Sequence, residues 1–423
     1  MNNDDITIPA SNPKYLDFYA FLLSSILIGF IVGIASALFL RFLDWNIHFL
    51  WEVLPQWIAP NNEIPFYALI VCTIGGTIIG LCQKYLGNHP PSLAETLATF
   101  RKTGRVEYKH LPHGIVNVLV SLIFGGSLGP EAGLTDMIGG LVTWLGDLRK
   151  QHNYIKRILT QAAMSAGLAF FGSPLGGAVL TFETSDGDIL PRIQNFLPSL
   201  LGTCAGFAGF VWAMGNSLGK NFIFPAEMAQ PVNMLLAIPV ALIGAGGGMI
   251  FHLLSTQLNK YFSPLASRPL LRGIIGGVGL GIMGSLMPLT LFSGEHELRV
   301  LIDESAKMGF LLLFVLGVAK MLATTLCLAT GWKGGIIFPP MFGGAALGLA
   351  CSVLFPAIHP MVGVTAGMAA TTAVIMRQPV AVIIILLGIL RGETAGVIVV
   401  ATLVGYTVTM PFFPSKVKNN TNL

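Results

Sequence analysis

Charge is what this chain has least of. Only 10% of its 423 residues are Asp, Glu, Lys or Arg, against about 25% in a soluble domain. So few charges cannot cover a water-facing surface, which excludes an ordinary soluble fold. Cysteine is scarce as well. Cys72, Cys82, Cys204, Cys327 and Cys351 are odd in number, lie in apolar stretches and have no metal-ligand spacing, so inert buried thiols are expected. The eight histidines are scattered without metal spacing. The sequence offers no nucleophile–base pair, no His-x-x-x-His arrangement and no Asp dyad at helical spacing. An intramembrane enzyme is therefore disfavoured, and no catalytic residue, metal or cofactor is expected. A cation transporter would want several buried carboxylates, whereas the few present here sit beside helix starts.

No cleavable leader is expected either. Residues 1–14 are polar and carry Asp4 and Asp5, and the apolar run that follows is too long for a signal core and lacks its basic flank. That run reads as a first membrane helix. The chain ends at Leu423, soon after its last apolar segment, so no soluble regulatory domain is expected in it.

What the chain has in abundance is apolar length. Hydrophobic residues make up 53% and the mean hydropathy is +0.73. Residues 18–40, 158–182 and 228–258 contain no Asp, Glu, Lys or Arg, and the uncharged stretch 334–376 is long enough for two elements. A helix needs roughly 20 apolar residues to cross the hydrocarbon core, which gives an estimate of about 10 to 14 membrane elements, several too short to span. The expected fold is all-α and polytopic, with the lipid bilayer as its solvent. The net charge is +4, and the basic residues form two loops, Arg101–Lys102–Arg105–Lys109 and Arg149–Lys150–Lys156–Arg157. Such loops usually mark a cytoplasmic face, so no nucleic-acid partner is expected. Lys14, Lys416 and Lys418 lean towards cytoplasmic termini.

The 50 glycines and 25 prolines break helices. Within a membrane such breaks are tolerated only inside protein or along a watery path, although small residues also serve close helix packing. Two patterns recur. Gly-Ser-Leu-Gly-Pro at 126–130 is echoed by Gly-Ile-Ile-Phe-Pro at 335–339, with prolines 209 residues apart. Ser-Pro-Leu-Gly-Gly-Ala-Val-Leu from Ser173 is echoed by Gln-Pro-Val-Ala-Val-Ile-Ile-Ile from Gln378, with prolines 205 apart. The nearly equal spacings imply a duplicated unit of about 200 residues, and such membrane repeats are often inverted around a central site.

Each repeat offers a glycine-rich entry, a proline and a new apolar helix. A helix start leaves its first N–H groups unpaired and carries the positive end of the helix dipole, which makes it an anion site without any buried cation. Glycine eases the turn and proline fits the first helical turn. A third candidate is Gly87-Asn88-His89-Pro90-Pro91, where Asn88 and His89 can donate hydrogen bonds; read alone it is a surface turn.

At these residues the sequence resembles the CLC family of chloride channels and proton-coupled chloride exchangers, over about residues 18 to 415. The strongest stretch runs from Ala319 to Pro339. Its end is similar to the family's G-x-F-x-P anion motif, with Ile337 in place of the usual Phe. Gly126–Pro130 resembles the G-K/R-E-G-P motif in a GSLGPE version typical of a divergent bacterial branch, and Gly87–Pro91 falls where the G-S-G-I-P motif would. The resemblance implies an all-helical fold with two inverted repeats, discontinuous and re-entrant helices, and a homodimer with one pore per subunit in a bacterial inner or plasma membrane. It divides the chain into an N-terminal cytoplasmic segment (1–17), two membrane halves (18–220 and 221–415) and a tail (416–423).

It also implies site residues. The amides of Ile336 and Ile337 would ligate the central anion, Asn88 would stand where the family has Ser, and the amides of Leu128 and Gly129 would face the outer path. The family's gating glutamate aligns with Leu128, which leaves Glu131 as a displaced gate or as a carboxylate that merely stabilises its own helix. The inner proton-relay glutamate aligns with Thr184, beside Glu183. The pore tyrosine falls at Phe413 or Pro414, with Tyr406 as a substitute at the wrong offset. Lys320, in an apolar helix, either raises the anion potential or serves structurally as an ion-pair partner or by snorkelling, the structural role being favoured. Thr135 and Asp136 either face the pore or pack within a helix. The expected function is transport of a small inorganic anion, chloride first, through a channel or uncoupled carrier. The alternative is proton-coupled exchange through Glu131.

Overall fold

The computed structural model of the chain describes residues 15–60, 64–148, 153–168, 173–182, 193–215, 230–390 and 394–413. Lys14, Arg149, Lys150, Glu183, Thr184, Pro414, Lys416 and Lys418, on which expectations fell, lie outside the described residues. The described part is helical, and its one β-feature is an isolated antiparallel bridge between Gly129 and Gly335.

The helices of the first half are α1 (Tyr15–His48), α2 (Leu54–Ile58), α3 (Tyr67–Tyr85), α4 (Leu93–Thr103), α5 (Leu111–Ile123), α6 (Glu131–Leu148), α7 (Asn153–Gly167), α8 (Pro174–Phe182) and α9 (Ile193–Met214). Those of the second are α10 (Pro231–Phe262), α11 (Pro269–Leu286), α12 (Glu297–Ala329), α13 (Phe338–Leu354), α14 (Pro360–Met376), α15 (Pro379–Ile389) and α16 (Ala395–Thr409). Among the described residues seven helical stretches are long and apolar enough to cross a membrane. Helices α5, α8 and α15, with 13, 9 and 11 residues, are too short to do so, at a rise of about 1.5 Å per residue. The long helices turn apolar side chains outward, as Leu23, Ile31 and Leu38 of α1 do, which a bilayer accommodates and water does not.

The repeated patterns both land on helix starts. Pro130 immediately precedes α6 and Pro339 lies in the first turn of α13; Pro174 opens α8 and Pro379 opens α15. Each pair also meets in space. Gly129 and Gly335 exchange hydrogen bonds, and the Ser173 hydroxyl donates to the Ile384 carbonyl at 3.0 Å, joining the start of α8 to α15.

At the centre of the bundle lie α13 and α14, buried along almost their whole lengths. Helices apolar all round belong in such a core. They approach closely because each carries Gly-x-x-x-Gly, at Gly344/Gly348 and Gly363/Gly367, facing one another. A Cβ on Gly348 would collide with the Gly363 carbonyl oxygen, and backbone cannot yield as a flexible side chain does. Gly348→Ala is therefore expected to destabilise the fold by about 1–3 kcal/mol, as overpacking does, seen as a lowered midpoint of thermal unfolding in detergent micelles. An unchanged midpoint would show that this crossing tolerates separation.

Candidate functional site

Glu131 is the first residue of α6 and is completely buried. Its carboxylate does not simply cap its own helix. Oε1 accepts from the backbone N–H of Ile337 at 3.2 Å and of Phe338 at 3.3 Å, the opening residues of α13. These are charge-assisted bonds to donors that an isolated helix start leaves unpaired. A side chain from the first repeat thus takes up the free N–H groups at a helix start of the second.

Glycines hold it there. Gly129 N–H donates to the Gly335 carbonyl at 2.9 Å, and Gly335 N–H returns the bond at 2.5 Å. The carboxylate lies against this pair. A Cβ on Gly129 or Gly335 would overlap Glu131 Oε2, so only glycine leaves room for it. Oε2 itself is buried with no hydrogen-bond partner, an exception to the rule that buried polar atoms are satisfied.

The third candidate segment joins the other two. Lys333, two residues before Gly335, donates its N–H to the Ser121 hydroxyl at 2.8 Å and its ammonium to the Pro90 carbonyl at 3.1 Å. Asn117 of α5 donates to the carbonyls of Gly87 and His89 at 3.1 and 2.6 Å, pinning the 87–91 loop. His89 stacks on His110 with ring centroids 4.4 Å apart. Burial, reinforced by His110, His113 and Lys333, holds the His89 imidazole below its ordinary pKa, so at neutral pH this loop presents a neutral ring. Asn88 is exposed, at a distance in chemistry from the buried Glu131 seat.

The remaining expected site residues divide. The donors to Glu131 are Ile337, one of the two residues expected to ligate the anion, and Phe338. The amides of Leu128 and Gly129 are not open to a path: Leu128 N–H donates to the Gly126 carbonyl at 2.8 Å and Gly129 N–H to Gly335. The Leu128 side chain is fully buried in the core. Phe413 lies at the end of α16, its ring 4.5 Å from that of His252 and 5.1 Å from the Arg377 guanidinium, which also lies 4.9 Å from the Tyr406 ring. Both aromatic candidates are thus engaged with Arg377. Thr135 and Asp136 are buried within α6.

Lys320 has a structural role, by neither an ion pair nor snorkelling. Fully buried, it donates to the carbonyls of Leu289, Thr290, Leu291 and Phe292 at 3.2, 3.3, 2.6 and 2.9 Å, with the Phe342 ring 4.9 Å away. Its charge is spent on fixing the loop before α12. Residues the sequence did not single out include Phe338, whose amide is half of the seat, and Asn117; an Asn inside an apolar helix was the available signal. Glu295 is another. It lines a small cavity with Gly294, Leu298, Phe338, Met341, Phe342, Met368 and Ile389.

Comparison with known proteins agrees with this architecture. The family description "voltage gated chloride channel" matches residues 75–410. A protein named for ion transport, YfeO of Salmonella paratyphi A, is 28% identical over 362 residues, covering 82% of this chain and 85% of its own. The crystal structure of a slow cyanobacterial Cl−/H+ antiporter superposes with a TM-score of 0.78 at 23% identity, covering 94% of this chain and 95% of that one. A CLC-type fluoride/proton antiporter gives 0.77 at 19% identity, covering 94% and 97%.

Proposed function

The chain belongs to the voltage gated chloride channel family, whose business is moving small anions across a membrane, and from that premise we propose that it is a proton-coupled anion exchanger gated by Glu131. The observation that carries this reading is the Glu131 carboxylate held by the amides of Ile337 and Phe338. A carboxylate there stands in for the transported anion. It closes the path while ionised and gives way when a proton removes the charge that strengthens both hydrogen bonds. The unpartnered Oε2 is the atom that would carry the proton. Chloride is the proposed ion, bound by the Ile337 and Phe338 amides once Glu131 leaves. The proposed unit is a homodimer with one path per subunit, each built from the halves 18–220 and 221–415.

Uncoupled conduction has two observations in its favour: the position aligned with the family's gate is Leu128, buried and without a titratable group, and the inner proton-relay position aligns with Thr184. The two readings separate in a bilayer. With opposed chloride and proton gradients, exchange predicts a reversal potential that moves when the pH on one side is changed. A reversal potential set by chloride alone would reject coupling and leave the channel.

A further inference from the structure

Glu131 sits deep in the protein, and a proton must reach it. The cavity against its seat suggests where from. Its volume is about 10 Å³, room for roughly one water molecule. Phe338 forms one wall, and the Phe338 amide is one of the two donors to Glu131. Glu295 forms another. The Glu295 side chain is only 10% exposed, and its Oε2 is buried with no hydrogen-bond partner. Buried carboxylates are costly unless paired, so an unpaired oxygen on a residue that lines a cavity together with Phe338, a donor to Glu131, asks for a purpose. Glu131 and Glu295 are close enough to repel one another when both are ionised.

The outer end of this line reaches the protein surface. His296 Nε2 lies 3.3 Å from Glu295 Oε1, and the His296 side chain is 58% exposed. The other ionisable groups facing this cluster are Asp44 of α1 and Glu297 at the start of α12; Lys320 interacts with Glu297. The segment leading to Glu295 is anchored. Lys320 binds the four carbonyls 289–292 just before it, and Phe292 N–H donates to the Gly125 carbonyl at 3.2 Å.

We propose that Glu295 is the proton-carrying partner of Glu131, relaying protons between His296 at the surface and the gate through the cavity beside Phe338. This rests on the exchange reading above. In the relay the O–H bond on Glu131 breaks and, through the cavity, an O–H bond forms on Glu295 Oε2. The negative charge moves from Glu295 to Glu131, which can then re-seat on the amides. His296 first releases its own proton to water, and Glu295 then passes its proton to the vacated Nε2; the reverse sequence loads the gate.

The test measures proton and chloride movement together, by pH electrode and Ag/AgCl electrode, in the same proteoliposomes holding the full chain. Glu295→Gln is expected to lower the proton-to-chloride flux ratio by about a hundredfold or more, the low end of what a positioned proton-transfer group contributes. Glu295→Asp keeps the carboxylate but withdraws it by one methylene, and is expected to fall between wild type and Glu295→Gln. If Glu295→Gln is not recovered folded, an Asp variant with the wild-type ratio overturns the relay. A wild-type ratio in Glu295→Gln, beside a ratio near zero in Glu131→Gln, also overturns it while exchange stands. A wild type that moves no protons overturns exchange, and the relay with it.

Discussion

Glu131→Gln is expected to raise chloride flux at neutral pH and to abolish its response to acid. The wild-type carboxylate is held by two charge-assisted hydrogen bonds, from Ile337 and Phe338. A neutral glutamine amide in the same place keeps the shape and a carbonyl acceptor but loses the charge. Hydrogen bonds to a charged group contribute about 1.5–3 kcal/mol each, and neutral ones about 0.5–1.5. Two bonds weakened by roughly 1 kcal/mol each make the seat some 30-fold easier for an anion to take. In the wild type, acid performs the same neutralisation, so flux should rise as pH falls and fall as pH rises. In the variant nothing titrates at the seat, so flux should stay high and flat. The check is chloride efflux from liposomes in neutral and acidic buffers. If the variant retains the wild-type rate and pH response, Glu131 has no part in gating.

The sequence carried the helix starts better than it carried the contacts between them. Glycine and proline at 126–130 and 335–339 mark where α6 and α13 begin, because turn entry and first-turn geometry are local demands. The nearly equal spacing of two pattern pairs pointed to a duplicated unit, and both pairs do meet in the fold. What local pattern could not supply was register at the meeting point. Which amides face the carboxylate depends on how α6 and α13 approach across 206 residues of chain, and the donors fall at Ile337 and Phe338. For the same reason the amides of Leu128 and Gly129 read as open donors, yet the fold turns them to Gly126 and Gly335. Lys320 was legible as an oddity in an apolar helix, but its partners are main-chain carbonyls, which leave no mark in sequence. Glu295 was invisible, since an acid in a loop looks solvated until the loop is folded against Phe338.

The Gly129–Gly335 pair gives a way to disturb the gate without touching its charge. A Cβ on Gly335 would occupy the space of Glu131 Oε2, and the opposite wall is Gly129 backbone, already tied to Gly335 by two hydrogen bonds. With no yielding neighbour, the carboxylate must leave. Gly335→Ala is therefore expected to open the path much as Glu131→Gln does, with raised chloride flux at neutral pH and a loss of the acid response, although the acid is still in the chain. The double variant should add little to either single one, because both act through one seat and residues acting as a unit are not additive. Gly246→Ala, where a Cβ meets nothing within 4 Å, is the matched control and should behave as wild type. The measurement is the same efflux assay, with wild type and the four variants compared at two pH values. A Gly335→Ala protein that folds and still closes at neutral pH would mean that Glu131 is seated by something other than the glycine pair. Full additivity in the double variant would mean that the two residues work on separate steps. The outcome expected here ties the repeat architecture to the gate: each half contributes one glycine to the cradle, the first half supplies the carboxylate, and the second supplies the amides it must surrender to the anion.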